Sequence, residues 1–180
     1  MILETQRLIL RTPELVDAPT LHTLADDYDI AATTLNLPHP YPEGEAEMFI
    51  QSLLDDTDRS KGSTLGIVRK ADQQFMGLIS IRVDARHQHA DLGYWIGKPY
   101  WNQGYTSEAA RRMVDYGFTE LNLHRVYASY FSQNIASRRV MEKAGMIYEG
   151  TLREHLERFG KFQDIGCCGI LRSEWEARRA

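Results

Sequence analysis

A single glycine, Gly104, separates the strand-like run "GYWIGKPYWNQ" from a hydroxyl-rich helix start at Tyr105, Thr106 and Ser107. The first turn of a helix leaves backbone N–H groups without partners, and the helix dipole adds partial positive charge there. A glycine just before that turn lets the chain bend and lets a ligand come close to the backbone. The combination suits a phosphate or pyrophosphate, with Thr106 and Ser107 adding hydroxyl donors. Glu108 complements the dipole but competes with a bound anion for its field. Neither G-x-G-x-x-G nor G-K-[ST] is present, so there is no dinucleotide fingerprint and no P-loop. An ordinary capped strand-to-helix turn satisfies the same residues. A second stretch, "NIASRRVMEKAG", sets Asn134, Ser137 and Met141 on one helix face by i, i+3 and i+7 spacing. Val140 and Ala144 can then face a sheet. Taken alone, Asn134 reads as an N-cap and Ser137 as a solvent-facing hydroxyl.

Those residues need a scaffold, and the hydrophobic pattern supplies one. "RLILRT" alternates as an opening strand that Pro13 ends, and Leu15, Leu21, Leu24 and Ala25 mark a helix interrupted by Pro19. "NLPHPYPEGE" is loop, and Glu43 to Asp58 carries Met48, Phe49, Leu53 and Leu54 at helical spacing. Strands follow in "STLGIVRK", "FMGLISIRV", "ADLGYWIG" and "RVYASYF", and "MIYEGTLREHL" pairs with "FQDIGCCGIL" across "ERFGK". Between them lie a helix from about Tyr105 to Leu121 and another from about Asn134 to Ala144, stopped by Gly145. This order implies an α/β (α+β) fold, a mixed sheet with helices on its faces.

Composition narrows the functional classes. The chain of 180 residues is most economically one domain, residues 1–180, with 43% hydrophobic and 26% charged residues. A formal net charge of −4 argues against nucleic acid and against an anionic membrane surface. The start "MILETQRL" has no basic segment and no long apolar run, which makes the cytoplasm the expected location. Cys167 and Cys168 are adjacent, without zinc-ligand spacing, and read as small hydrophobes in a strand; no metal is expected.

The two stretches, in order and spacing with "TQRLILR" before them and "REHLERFGKFQDIGCCGILRSEW" after, resemble the GNAT N-acetyltransferases over nearly the whole chain. The branch they resemble holds the ribosomal-protein N-terminal acetyltransferases. The resemblance implies a mostly antiparallel sheet of about seven strands, splayed in the middle, with acetyl-CoA in the cleft. It implies that Tyr94, Trp95 and Ile96 pair with the pantetheine arm. Trp101, Asn102, Gln103, Gly104, Tyr105 and Thr106 match the pyrophosphate loop. Asn134 matches the residue that bonds the pantetheine amides, and Ser137 a hydroxyl near the sulfur. Four positions depart from the common pattern: Trp101 replaces an arginine or glutamine, although this branch often has an aromatic there, Asn102 a glycine, Thr106 a glycine or alanine, and Met141 a tyrosine that protonates the departing thiolate. With Met141 unable to donate, Ser137 is the candidate acid, and the Trp95–Ile96 backbone the candidate oxyanion donor.

For the base, "LREHLE" offers Glu154 as first choice, acting through a water, and His155 as second. Strict alternation sets Glu154 opposite His155 and Glu157. Asp91 is an outside candidate, and Arg153 with Asp164 is expected to form an ion pair. The implied acceptor is a primary amine, either an N-terminal α-amine or a small molecule (aminoglycoside, polyamine or amino acid). A non-catalytic acyl-CoA-binding module is the alternative from another class. The clustered acids Asp26, Asp27, Asp29, Glu43, Glu45, Glu47, Asp55, Asp56 and Asp58 would favour a cationic amine, and Tyr28, Trp95, Tyr130 and Phe159 are candidate pocket walls. A homodimer is also allowed.

Overall fold

The computed structural model describes residues 1–56 and 58–179. Its strands are β1 (Ile2–Glu4), β2 (Leu8–Arg11), β3 (Gly62–Arg69), β4 (Gln74–Asp84), β5 (His89–Ile96), β6 (Arg125–Phe131), β7 (Ile147–Arg158) and β8 (Lys161–Leu171). They form one eight-stranded sheet in the order β1-β2-β3-β4-β5-β6-β8-β7. Every neighbouring pair is antiparallel except β5–β6. The strand beyond the expected seven is the short β1, which folds back on β2.

The β5–β6 junction positions the site. The two strands pair only through His89↔Arg125, Ala90↔Val126 and Asp91↔Tyr127. Beyond that point β5 stays locked to β4 in one unbroken register as far as Gly77↔Ile96. β6 meanwhile stays locked to β8 as far as Phe131↔Ile165. Each half-sheet follows its own partner, so Leu92–Ile96 and Ala128–Phe131 diverge and leave a wedge. This is the expected splay. It comes from the end of the β5–β6 pairing, since the one-residue slip nearby lies between β3 and β4.

Helices cover both faces. α4 (Tyr105–Thr119) and α5 (Ile135–Lys143) lie on one side. There Ala109, Ala110, Met113, Val114 and Phe118 are buried with Leu65, Ile79, Ile81 and Val126 of the sheet. α1 (Ala18–Ala25) and α3 (Glu45–Asp55) lie on the other, where Leu21, Ala46 and Ile50 pack on Val68, Phe75 and Leu78. Pro19 does not interrupt α1: it occupies the first turn, where its missing N–H costs nothing. α3 ends at Asp55, short of the expected Asp58, and Thr57 lies outside the described residues. A short α2 (Tyr28–Ala31) and a C-terminal α6 (Arg172–Ala177) were not expected. α6 is held by the Trp175 indole, which donates to Asp115 Oδ1 at 2.7 Å and packs on Phe118. Among the described residues no helix is long and apolar enough to cross a membrane. Nor does any group of three or more His, Cys, Asp or Glu side chains there fit a metal ion.

Candidate active site

Antiparallel ladders alternate, so every second residue turns its N–H and C=O away from a given neighbour. Gly97 N–H donates to Met76 O at 2.8 Å, which fixes the phase on β5. Trp95 therefore faces β4 with its backbone, while Leu92, Tyr94 and Ile96 face the wedge where β6 has left. Of the Trp95–Ile96 segment, Ile96 is thus the residue whose N–H is available there. Its carbonyl is already engaged, accepting the Trp101 indole N–H at 2.8 Å. Side chains alternate as well: Trp95 packs toward the α1/α3 side and Tyr94 toward the α4/α5 side.

The chain then turns through residues 101–104, all exposed, into α4. Gly104 has φ 80°, and Asn102, where the family resemblance implies a glycine, has φ 58°. Asparagine is among the few side-chain-bearing residues that adopt this left-handed region readily, so the substitution preserves the bend. The first helical bond runs from Glu108 N to Gly104 O at 3.1 Å, which leaves the N–H groups of Tyr105, Thr106 and Ser107 at the open end. Side chains divide differently from expectation. Tyr105 and Ser107 are buried, with the Arg7 guanidinium 4.4 Å over the Tyr105 ring, and Thr106 is half-buried. Gln103 Nε2 donates to Pro99 O at 2.9 Å, bracing the turn. The free backbone amides, more than the hydroxyls, are what this corner offers an anion.

Glu108 does not crowd them. Its carboxylate accepts from Thr5 Oγ1 at 2.6 Å, from the Arg7 backbone N–H at 2.8 Å and from Arg7 Nε at 2.7 Å. Burial pushes its carboxyl up, but the Thr5 and Arg7 hydrogen bonds and the Arg7 charge outweigh this and hold it below the usual range. Arg7 also donates to Gln103 O at 3.1 Å, tying the turn to β2.

On α5, Asn134 is the N-cap: its Oδ1 accepts the Ser137 N–H at 3.0 Å. The cap uses only the amide oxygen, and both protons of the side-chain NH2 remain to be donated. Ser137 Oγ lies 2.9 Å from Tyr94 Oη, which also donates to the Ser137 carbonyl at 3.0 Å. Burial raises the Tyr94 phenol above its ordinary pKa, opposed by the Ser137 contact, so the phenol stays protonated. Met141 does not reach the cleft. It is 1% exposed, within the core under α5, although its spacing sets it on the same helix face as Asn134 and Ser137.

Two hollows open from the wedge. One, of about 530 Å³, is bordered by Tyr94, Trp95, Tyr130, Tyr41 and Glu45, among others. The second, of about 590 Å³, shares Thr33 and Phe131 with it and runs past Asn134 to Tyr28 and Phe159. All four aromatic candidates therefore wall one hollow or the other. Tyr28 and Phe159 stack at 5.6 Å. The Arg158 guanidinium clips the β7–β8 hairpin to the 31–37 segment by donating to Ala31 O at 2.7 Å and to Leu37 O. The Tyr41 phenol is pushed up to about 12 by burial and by the charges of Glu45 and Glu47.

The expected bases are elsewhere. β7 carries a bulge between Leu152 and Leu156, and Glu154 sits in it at φ 47°. Strict alternation therefore fails there. Glu154 and His155 are exposed and border neither hollow, and Leu156 lines the first. Asp164, expected to pair with Arg153, accepts the Glu154 backbone N–H at 2.7 Å. Glu154→Gln and His155→Ala are accordingly expected to leave kcat within about 2-fold of the parent, checked by steady-state acetylation assays. Asp91 does border the cleft, but Arg82 pairs with it. Glu45 is the wall carboxylate that the sequence did not distinguish from its acidic neighbours. Of these, Asp29 is paired with Lys98, and Asp26 accepts the Tyr41 N–H at 2.8 Å.

Comparison with known proteins agrees with this architecture. Residues 7–147 match the acetyltransferase (GNAT) domain family. The chain is 29% identical over 174 residues to an uncharacterized N-acetyltransferase, p20, of Bacillus licheniformis, covering 96% of this chain and 97% of that one. It is 26% identical to the spermidine N(1)-acetyltransferase of Vibrio cholerae, covering 94% and 95%. Among solved structures, a ribosomal L7/L12 alpha-N-protein acetyltransferase in complex with coenzyme A superimposes with a TM-score of 0.85. That pair is 18% identical, with 95% and 98% of the two chains covered.

Proposed function

Because the chain belongs to the GNAT family of N-acetyltransferases, we propose that it transfers the acetyl group of acetyl-CoA to a primary amine by direct attack on the thioester. The observation that carries this reading is the unpaired edge of β5, with Tyr94 and Ile96 facing the wedge, next to the free amides after Gly104. A pantetheine arm carries amides able to pair with that edge, and a pyrophosphate suits that helix start. Asn134 would add its two remaining side-chain N–H donors. A backbone N–H facing the wedge would stabilise the oxyanion.

An N-terminal α-amine is the acceptor this wall suits best. With a pKa near ~8, against ~10.4 for a lysine amine, it is partly neutral without a dedicated base. Asp91 is tied up by Arg82, and Glu154 and His155 stand away. A polyamine is the second reading, favoured by Glu45 on the cavity wall and by the relative that acetylates spermidine. Calorimetric titration with acetyl-CoA, ATP and NAD is expected to show binding of the first alone. Thiol release in the presence of short peptides, spermidine and an aminoglycoside then ranks the acceptors. No acetyl-CoA binding removes the reading, and faster turnover of spermidine than of any α-amine replaces the first acceptor with the second.

A further inference from the structure

We infer that Tyr94 is a positioning residue for acetyl transfer, holding the Ser137 hydroxyl so that its single proton is free for the departing sulfur. This deepens the proposed function and rests on it. The argument is a proton inventory. Ser137 Oγ and Tyr94 Oη, 2.9 Å apart, carry one proton each, and a third oxygen, the Ser137 carbonyl, lies 3.0 Å from Tyr94 Oη. Two arrangements satisfy this triangle. In the first, Tyr94 donates to the carbonyl and Ser137 donates to Tyr94, so neither proton is left to give. In the second, Tyr94 donates to Ser137 Oγ, and the serine proton is released for another acceptor. A thiolate forming within reach of Ser137 Oγ favours the second, because a hydrogen bond to a charged acceptor is about twice as strong as a neutral one. The switch needs only the rotation of two hydroxyl groups.

Tyr94 can fill this role because of where β5 places it. Its ring is sent to the α4/α5 side, under the first turn of α5, while its backbone lines the wedge. Met141, one turn further along α5, is sealed in the core and has no proton to give. In the step itself the amine nitrogen bonds to the carbonyl carbon and the C–S bond breaks with its electron pair on sulfur. Sulfur takes the Ser137 proton, and Ser137 is reprotonated through solvent by the proton that nitrogen loses. Tyr94 keeps its own proton throughout, since burial disfavours the phenolate.

The test is a double-mutant cycle on the full chain, with acetyl-CoA and the best amine of the acceptor screen. Tyr94→Phe retains the ring and removes the hydroxyl. It is expected to lower kcat about 10-fold while the calorimetric Kd for acetyl-CoA moves less than about 2-fold. Ser137→Ala is expected to lower kcat at least as much, and the double variant no further than Ser137→Ala alone. Ser137→Thr, which keeps a hydroxyl, should retain most of kcat and its dependence on Tyr94. Additive losses, an unchanged kcat in Tyr94→Phe, or a Ser137→Ala enzyme still slowed by Tyr94→Phe would each overturn the inference. A circular-dichroism melt of each variant separates a folding defect from these outcomes. A parent protein that binds acetyl-CoA but acetylates no amine would instead mean failure of the proposed function itself.

Discussion

Gly104→Asp is expected to weaken acetyl-CoA binding by at least about 30-fold, or about 2 kcal/mol, with little change in melting temperature. The N–H groups of Tyr105, Thr106 and Ser107 have no helical acceptor, and Gly104 stands directly before them at φ 80°. A carboxylate there would take the amides offered to a pyrophosphate and repel its charge. The same carboxylate interacts favourably with the helix dipole, by about 0.3–1 kcal/mol, which partly offsets the left-handed backbone. No neighbouring atom stands in the way, since a Cβ at Gly104 would meet only Arg7 Nη2, at 3.5 Å. Gly104→Asn has nearly the same shape without the charge, and a loss of only about 3-fold is expected for it. The gap between the two variants should narrow in high salt, as screened electrostatics requires. Equal losses would mean that the backbone bend, and not an anion, is what position 104 serves.

What the sequence disclosed here was local. Helix α4 announces itself because Ala109, Ala110, Met113, Val114 and Phe118 recur at its own period, and all five are buried. The bend at Gly104 was legible too, whereas Asn102 read as a departure from the pattern and turned out to hold the same left-handed conformation. What stayed hidden depends on partners far along the chain. α6 is fixed by Trp175 donating to Asp115, sixty residues away. Glu108 read as a rival of the anion, yet Thr5 and Arg7, about a hundred residues earlier, draw its carboxylate aside. The β7 bulge defeated alternation at Glu154, since a bulge changes which face the next residue occupies and leaves no period of its own. Tyr94 and Ser137 belong to a strand and a helix with no shared pattern, and only the folded sheet brings their hydroxyls together.

The other large effect is expected from Gly77→Ala, on the strand beside the one that lines the wedge. Gly77 pairs with Ile96, and a Cβ added to it would lie 2.3 Å from the Trp95 carbonyl oxygen and 2.7 Å from Ile96 Cα. Both are backbone atoms, so no side chain can swing away to make room. Either β5 moves off β4 or the pair opens at Trp95–Ile96. Overpacking of this kind costs typically about 1–3 kcal/mol and more when backbone must shift, so a fall of at least about 3 kcal/mol in urea unfolding is expected. Activity should suffer more than stability. The displaced segment carries the Ile96 N–H that faces the wedge, and a shift of about 1 Å in a catalytic geometry can cost about 100-fold in rate. Gly93→Ala is the matched control on β5. A Cβ there approaches only the Ser80 hydroxyl, at 3.1 Å, which can rotate aside. Its stability should stay within about 1 kcal/mol of the parent. If Gly77→Ala proves as stable and as active as the parent, β5 tolerates movement at Trp95–Ile96, and its backbone is not the preorganised element that the acetyl-transfer chemistry requires.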